Sequence, residues 1–170
     1  DAKLLKKRGD VIRVASEKES SAILADLERA DWIVSSVTTK ERRRHPSPPF
    51  ITSKLQQTAR FPVKKTMLLA QQLYEGIELP GLGGDGPVGL ITYMRTDSVR
   101  VSEEALDAVR GHIGTRFGAE YLPEQANRYK SKAEAQDAHE AIRPTSMQYH
   151  PELVRSHLTP DQYSLYRLIW

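Results

Sequence analysis

Val63-Lys64-Lys65-Thr66-Met67-Leu68-Leu69-Ala70-Gln71-Gln72-Leu73-Tyr74-Glu75 carries the firmest helical pattern in the middle of the chain. Val63, Met67, Ala70 and Tyr74 recur at helical spacing, which predicts an amphipathic helix with that stripe on the core. Upstream, the pattern is already helical from Phe50, and Thr52 or Ser53 is placed to cap a shorter helix through Leu55 and Gln56. Before that, Arg42, Arg43 and Arg44 are followed by Pro46, Pro48 and Pro49. Proline there excludes helix and interior strand, so Arg42 to Pro49 is the first domain boundary.

Downstream, Gly76 to Gly89 is rich in Gly and Pro and is expected to be a flexible surface loop. It lacks the residue order of a phosphate-cradling loop. Leu90, Ile91 and Thr92 then form an extended entry to Tyr93. Ser102 caps the next helix, with Glu103 and Glu104 in its first turn and Leu106, Val109, Ile113 and Phe117 as its core stripe; Gly118 stops it. Tyr121 to Lys132 is irregular. A short alanine-rich helix is expected through Ala138 and Ala141, ended by Pro144, and Thr159-Pro160 opens a last helix.

The N-terminal part has a different rhythm. Val11 to Ala15 alternates as a strand does, and Ser16 with Glu19 has the spacing of a capping box. The helix that follows carries Ile23, Leu24 and Leu27 and ends near Ala30. Trp32 to Thr39, rich in β-branched residues, predicts a second strand. Strand, helix and strand followed by a helical middle make an α+β chain.

Bulk properties set limits. A chain of 170 residues buries one ordinary core or two small ones. At 39% hydrophobic and 28% charged it has the composition of a globular protein. No apolar run approaches the roughly 20 residues that cross a bilayer. Asp1-Ala2-Lys3 leads into Lys6-Lys7-Arg8 rather than into the apolar stretch of a signal peptide. With no cysteine, disulfides and thiolate metal sites are excluded. A net charge of +3 and a pI near 9.1 are compatible with nucleic acid without arguing for it. A start without Met and an end at Leu168-Ile169-Trp170, within a helical pattern, are what a piece of a longer protein would show.

Two clusters can carry chemistry. In Thr92-Tyr93-Met94-Arg95-Thr96-Asp97-Ser98, Tyr93 and Arg95 share one side if the segment is extended. A phenol is a weak nucleophile near neutral pH, and a nearby cation both favours its ionised form and offsets charge on a phosphate under attack. In Ala138-His139-Glu140-Ala141-Ile142-Arg143-Pro144, a helix would present His139 and Arg143 to one anion. Arg143 stands where a zinc-protease motif needs histidine. Spacing alone also fits a surface turn whose tyrosine packs on the core, and a His139 that is structural or simply exposed. Basic runs at Lys6-Lys7-Arg8, Arg42-Arg43-Arg44 and Lys64-Lys65 fit solvated faces as well as phosphate contacts. No D-x-D pair is present, so the chain offers no obvious Mg²⁺ site.

Together these segments resemble the type IA DNA topoisomerases, in their bacterial topoisomerase I branch. The resemblance lies in Pro49 to Gln57, Lys64-Lys65-Thr66-Met67, Gly89 to Ser98 and Ala138 to Thr145, in that order, and returns at Leu165 to Trp170. Between Gln57 and Lys64 the chain is a few residues shorter than the family pattern.

The resemblance implies three parts. Residues 1–47 would belong to a β-rich arch domain and residues 48–156 to a mostly helical catalytic-tyrosine domain with a helix-turn-helix-like core. Residues 157–170 would begin the return toward the arch and a fourth domain. It further implies Tyr93, Arg95 and His139 as catalytic residues, and Arg95, Thr96, His139 and Arg143 as DNA contacts, Thr96 and Asp97 also shaping the turn. Tyr93 would form a 5′-phosphotyrosine on single-stranded DNA, with strand passage and religation relaxing negative supercoils. Mg²⁺ would be held by an acidic domain outside this chain, so the chain alone is expected not to relax DNA. A monomeric, cytoplasmic, nucleoid-associated bacterial isomerase without membrane contact is the expectation. A non-catalytic single-stranded DNA-binding module is the alternative. A tyrosine recombinase or relaxase fits poorly, because the multi-Arg and His set of the first and the paired histidines of the second are missing.

Overall fold

The computed structural model describes residues 6–42, 44–82, 86–129 and 139–170. Contacts divide the chain into two compact units, Asp1–Arg44 and His45–Trp170.

In the first unit, strands β1 (Lys6–Lys7) and β2 (Asp10–Val11) pair antiparallel. Arg8 and Gly9 between them both have positive φ, 53° and 95°, as a two-residue hairpin turn requires. Helix α1 (Glu17–Glu28) starts at the expected cap: the Glu19 N–H donates to Ser16 Oγ, and Glu19 Oε2 accepts from the Ala15 N–H. Two expectations fail here. The first strand reaches only to Val11, and Trp32 to Thr39 is not a strand. Trp32, Ile33, Val34 and Val37 are 71–85% exposed. Among the described residues the only ladder in this unit is the short hairpin. An apolar alternation without a neighbouring strand has no partner for its backbone groups, so its propensity goes unused.

The second unit is helical. Helices α2 (Thr52–Thr58) and α3 (Val63–Glu75), joined by residues 59–62, form a helix–turn–helix pair. Helix α4 (Glu103–Arg116) follows, then α5 (Pro151–Val154) and α6 (Pro160–Ile169). Helix α3 packs against both α2 and α6. Leu55, Leu73, Leu90, Leu165 and Tyr166 fill the core between them, each 1% exposed or less. Residues 157–170 thus pack within this same unit. The caps at Ser102 and Thr159 form as expected, the latter as a complete capping box with Gln162.

The phase of α3 differs from the expected stripe. Thr66, Leu69, Ala70 and Leu73 are buried, whereas Val63 and Tyr74 are 54% and 42% exposed. The buried arc is the one that faces both α2 and α6. Thr66 tolerates burial because its hydroxyl bonds the Phe61 and Pro62 carbonyls, both at 3.2 Å. Helix α4 behaves differently. Leu106, Val109, Ile113 and Phe117 face a cavity of about 860 Å³ rather than closed packing, and no residue of α4 is buried.

The loop after α3 is pinned at its neck by mutual backbone bonds between Ile77 and Val88, both 2.9 Å. Leu79 tucks into the core at 3% exposure.

The expected helix through Ala138 and Ala141 is corrected in its described part. Residues 130–138 lie outside the described residues, and 139–145 is extended, bridging Phe50 through Ile142 and Ile91 through Pro144. The N–H groups of Ala141, Ile142 and Thr145 go to the carbonyls of Arg100, Phe50 and Leu90. Those long-range acceptors replace the intrahelical ones, and Pro144 could supply no helical N–H in any case.

The phase of α3 is directly testable. Leu73→Ala should destabilise the chain by about 2–5 kcal/mol. Leu68→Ala, at a 56% exposed position of the same helix, should stay within about 0.5 kcal/mol. Urea unfolding of the two variants gives the comparison, and equal or reversed costs would refute the phase.

Candidate active site

The segment that follows Gly89 leaves α3 and runs extended beside it. Its first tie is backbone: the Leu90 N–H donates to the Leu73 carbonyl at 2.8 Å. Gly89 allows this approach, since a Cβ there would lie 2.7 Å from the Tyr74 carbonyl oxygen.

From Tyr93 to Ser98 exposure alternates as in a strand, although among the described residues no strand neighbours the segment. Met94, Thr96 and Ser98 are buried at 3%, 8% and 2%, and Tyr93, Arg95 and Asp97 face outward. The same-side placement of Tyr93 and Arg95 expected from their spacing is therefore present.

Threonine hydroxyls hold the segment from two directions. At the start of α2, Thr52 Oγ1 lies 2.9 Å from the Met94 carbonyl and 3.0 Å from the Thr96 carbonyl, and accepts from the Thr96 N–H at 2.8 Å. The Thr52 N–H donates to the Thr96 carbonyl. Neither Thr52 nor Ser53 is the cap expected of them; Ile51 holds that position without a side-chain cap bond, and the Thr52 hydroxyl serves the tyrosine segment instead. On the other side, Thr92 Oγ1 donates to the Ala141 carbonyl at 2.6 Å and accepts from the Arg143 N–H at 3.0 Å. The Thr92 N–H donates to the Arg143 carbonyl. Thr96 Oγ1 turns inward and accepts from the Ser98 N–H at 3.1 Å.

Arg95, Thr96 and His139 come together. With Ile51, Thr52, Ser53 and Asp97 they line an open cleft of about 480 Å³. Among the described residues no carboxylate forms an ion pair with Arg95, so its charge is available to an anion.

Tyr93 stands outside that lining, with its ring 5.3 Å from the ring of Tyr74 in an edge-on contact. Tyr166 offers a contrast. It is enclosed, its hydroxyl donates to the Tyr149 carbonyl at 2.6 Å, and burial pushes its phenol far above the ordinary range. It cannot act on a solvent-borne substrate.

Arg143 is not brought to the cleft. Its side chain is about one-fifth exposed and pairs with Glu140 at 2.6 Å while donating to the Pro144 carbonyl at 2.9 Å. With 139–145 extended, the helical face that would have shared an anion between His139 and Arg143 does not exist. Glu140 also accepts from the Ser102 N–H at 2.7 Å, tying the start of α4 to this segment. Burial pulls the Glu140 carboxyl upward, but the hydrogen bonds from Ser102 and Arg143 and the Arg143 charge outweigh it and leave it below its ordinary 4.5.

Thr52, Glu140 and Tyr74 were not legible as parts of this site. Thr52 meets its partners 42 and 44 positions away, and no local pattern announces such pairing. Among the described residues no group of three metal-capable side chains gathers. No helix among them is long and apolar enough to cross a membrane.

Together the fold and cleft define a helical unit that exposes Tyr93 two residues from Arg95, an arginine that shares a cleft with His139. A sequence model of the DNA topoisomerase family matches residues 2–170. The DNA topoisomerase 1 of Rickettsia bellii is 44% identical over 162 residues, covering 92% of this chain and 20% of that protein. That of Treponema pallidum is 48% identical over 159 residues, covering 91% and 21%. The solved structure of full-length topoisomerase I from Thermotoga maritima superposes with a TM-score of 0.69 at 37% identity, over 96% of this chain and 25% of that one. The chain belongs to the DNA topoisomerase family, with bacterial topoisomerase I enzymes as its relatives. It spans about a fifth of the length of those curated relatives.

Two outcomes test this geometry. Thr92→Val leaves the Ala141 carbonyl and the Arg143 N–H without their partner, and should cost about 1–3 kcal/mol in urea unfolding; an unchanged midpoint would refute the tie. For Glu140, the folded carboxyl titrates below its ordinary 4.5. Its contribution is therefore complete above that value and lost as pH falls through the folded one. The stability gap between the unsubstituted chain and Glu140→Gln should shrink as pH drops from neutral through this window, and a gap that is constant or widens contradicts it.

Proposed function

We propose that this chain supplies the attacking tyrosine of a type IA DNA topoisomerase. The observation that carries the reading is the alternation that turns Tyr93 and Arg95 outward together, with Arg95 and His139 on one cleft.

The substrate is a phosphodiester of single-stranded DNA. The Tyr93 phenol gives up its proton as its oxygen attacks phosphorus. The new oxygen–phosphorus bond forms as the bond to the 3′-oxygen breaks, and that oxygen leaves as a hydroxyl after taking up a proton. One phosphodiester replaces another, so the free 3′-hydroxyl can reverse the attack after another strand has passed, without an external energy source. Relaxation of negative supercoils follows from repeated passage.

Arg95 bonds the phosphate oxygens and stabilises the charge that builds on them. His139 donates to a phosphate oxygen along the same cleft. Thr96 holds the extended segment from within. Arg143 acts on the DNA only indirectly, by bracing the segment that carries His139. Mg²⁺ is assigned to carboxylates outside this chain, which by itself is not expected to relax DNA.

In the full-length enzyme, Tyr93→Phe should abolish the covalent protein–DNA adduct on a denaturing gel while oligonucleotide binding persists. An adduct that survives would sink the assignment. Adduct-free, salt-sensitive binding that is the same with and without the substitution would favour a non-catalytic single-stranded DNA-binding module.

A further inference from the structure

We infer that Tyr74 is a positioning residue for the Tyr93 phenol, restricting that ring through an edge-on aromatic contact. The inference rests on the reading of Tyr93 as nucleophile. The two ring centroids lie 5.3 Å apart at an interplanar angle of 66°, within the geometry that aromatic pairs favour.

Burial does not account for Tyr74. It is 42% exposed, whereas Leu69 and Leu73 of the same helix are 7% and 0% exposed and carry its packing. An aromatic side chain thus stands on the open side of α3, against another half-exposed tyrosine. Among the described residues Tyr74 is the only aromatic ring in contact with Tyr93.

The backbones of the two residues are fixed relative to each other. Helix α3 is held between α2 and α6. The Leu90 N–H bonds the Leu73 carbonyl, and Gly89 abuts the Tyr74 carbonyl at a distance that admits no side chain. Beyond Tyr93, Met94 is buried and its carbonyl lies 2.9 Å from the Thr52 hydroxyl. With the main chain fixed on both sides, the remaining freedom of the nucleophile is the rotation of its own side chain. A ring that swings points its oxygen along the line of attack for only part of the time, and a neighbour that narrows the swing raises that fraction. The contact is made by ring against ring, so phenylalanine at position 74 should serve as well as tyrosine.

The test uses the full-length enzyme and single-turnover cleavage of an end-labelled single-stranded oligonucleotide. Tyr74→Leu should lower the maximal cleavage rate roughly 2- to 10-fold, with oligonucleotide affinity and thermal midpoint unchanged. Tyr74→Phe should restore the rate to within about twofold of the unsubstituted enzyme. Tyr74→Gln, a second good helix former without an aromatic ring, should match Tyr74→Leu and guards against loosening of α3 by one substitution. A normal rate in both truncations overturns the inference, as does a loss in Tyr74→Phe equal to that in Tyr74→Leu. Weaker oligonucleotide binding with a normal rate at saturation also overturns it, making Tyr74 a stacking surface for bases. Tyr93→Phe run alongside separates the two layers: an adduct that persists there defeats the parent reading, whatever Tyr74 does.

Discussion

An extended segment that belongs to no sheet must find a partner for every buried backbone group, and the site depends on how residues 90–98 meet that demand. The Leu90 N–H goes to α3, the Thr92 N–H to Arg143, the Thr96 N–H to the Thr52 hydroxyl and the Ser98 N–H to the Thr96 hydroxyl. Inward bonding of the even-numbered positions leaves Tyr93, Arg95 and Asp97 facing out. The segment is strand-like in its alternation because the surrounding loops and helix starts do the work of neighbouring strands. Three separate stretches, around Thr52, Thr92 and Glu140, are thereby drawn onto one surface.

That dependence explains which parts could be read beforehand. Caps at Ser16, Ser102 and Thr159 were legible because the acceptor and the N–H it satisfies lie within three residues. The limits of α3 followed from its periodic apolar run. The same-side placement of Tyr93 and Arg95 followed from the two-residue repeat of an extended chain. The family was legible through whole motifs in order, where single residues allowed bland alternatives, and the family's sequence model matches residues 2–170.

What stayed hidden depends on tertiary context. Helix α3 has apolar residues on more than one arc, and only the positions of α2 and α6 select Leu69 and Leu73 over Val63 and Tyr74. Trp32 to Thr39 has the composition of a strand but lacks a neighbour to pair with. The alanine-rich stretch before Pro144 suggests helix locally, yet distant carbonyls claim the N–H groups of residues 141, 142 and 145. In each case local propensity met a stronger long-range demand. The α3 case matters for the site, since the expected stripe put Tyr74 in the core when its ring stands against that of Tyr93.

Of the seven tyrosines in the chain, one is proposed to carry the DNA link. Mass-spectrometric mapping of the peptide left attached to DNA, after the full-length enzyme is trapped on a single-stranded oligonucleotide and digested, tests it most directly. The expected result is a 5′-phosphoryl group on the oxygen of Tyr93. A link at Tyr74 or any other tyrosine, or a bond to the 3′ side of the break, would contradict it.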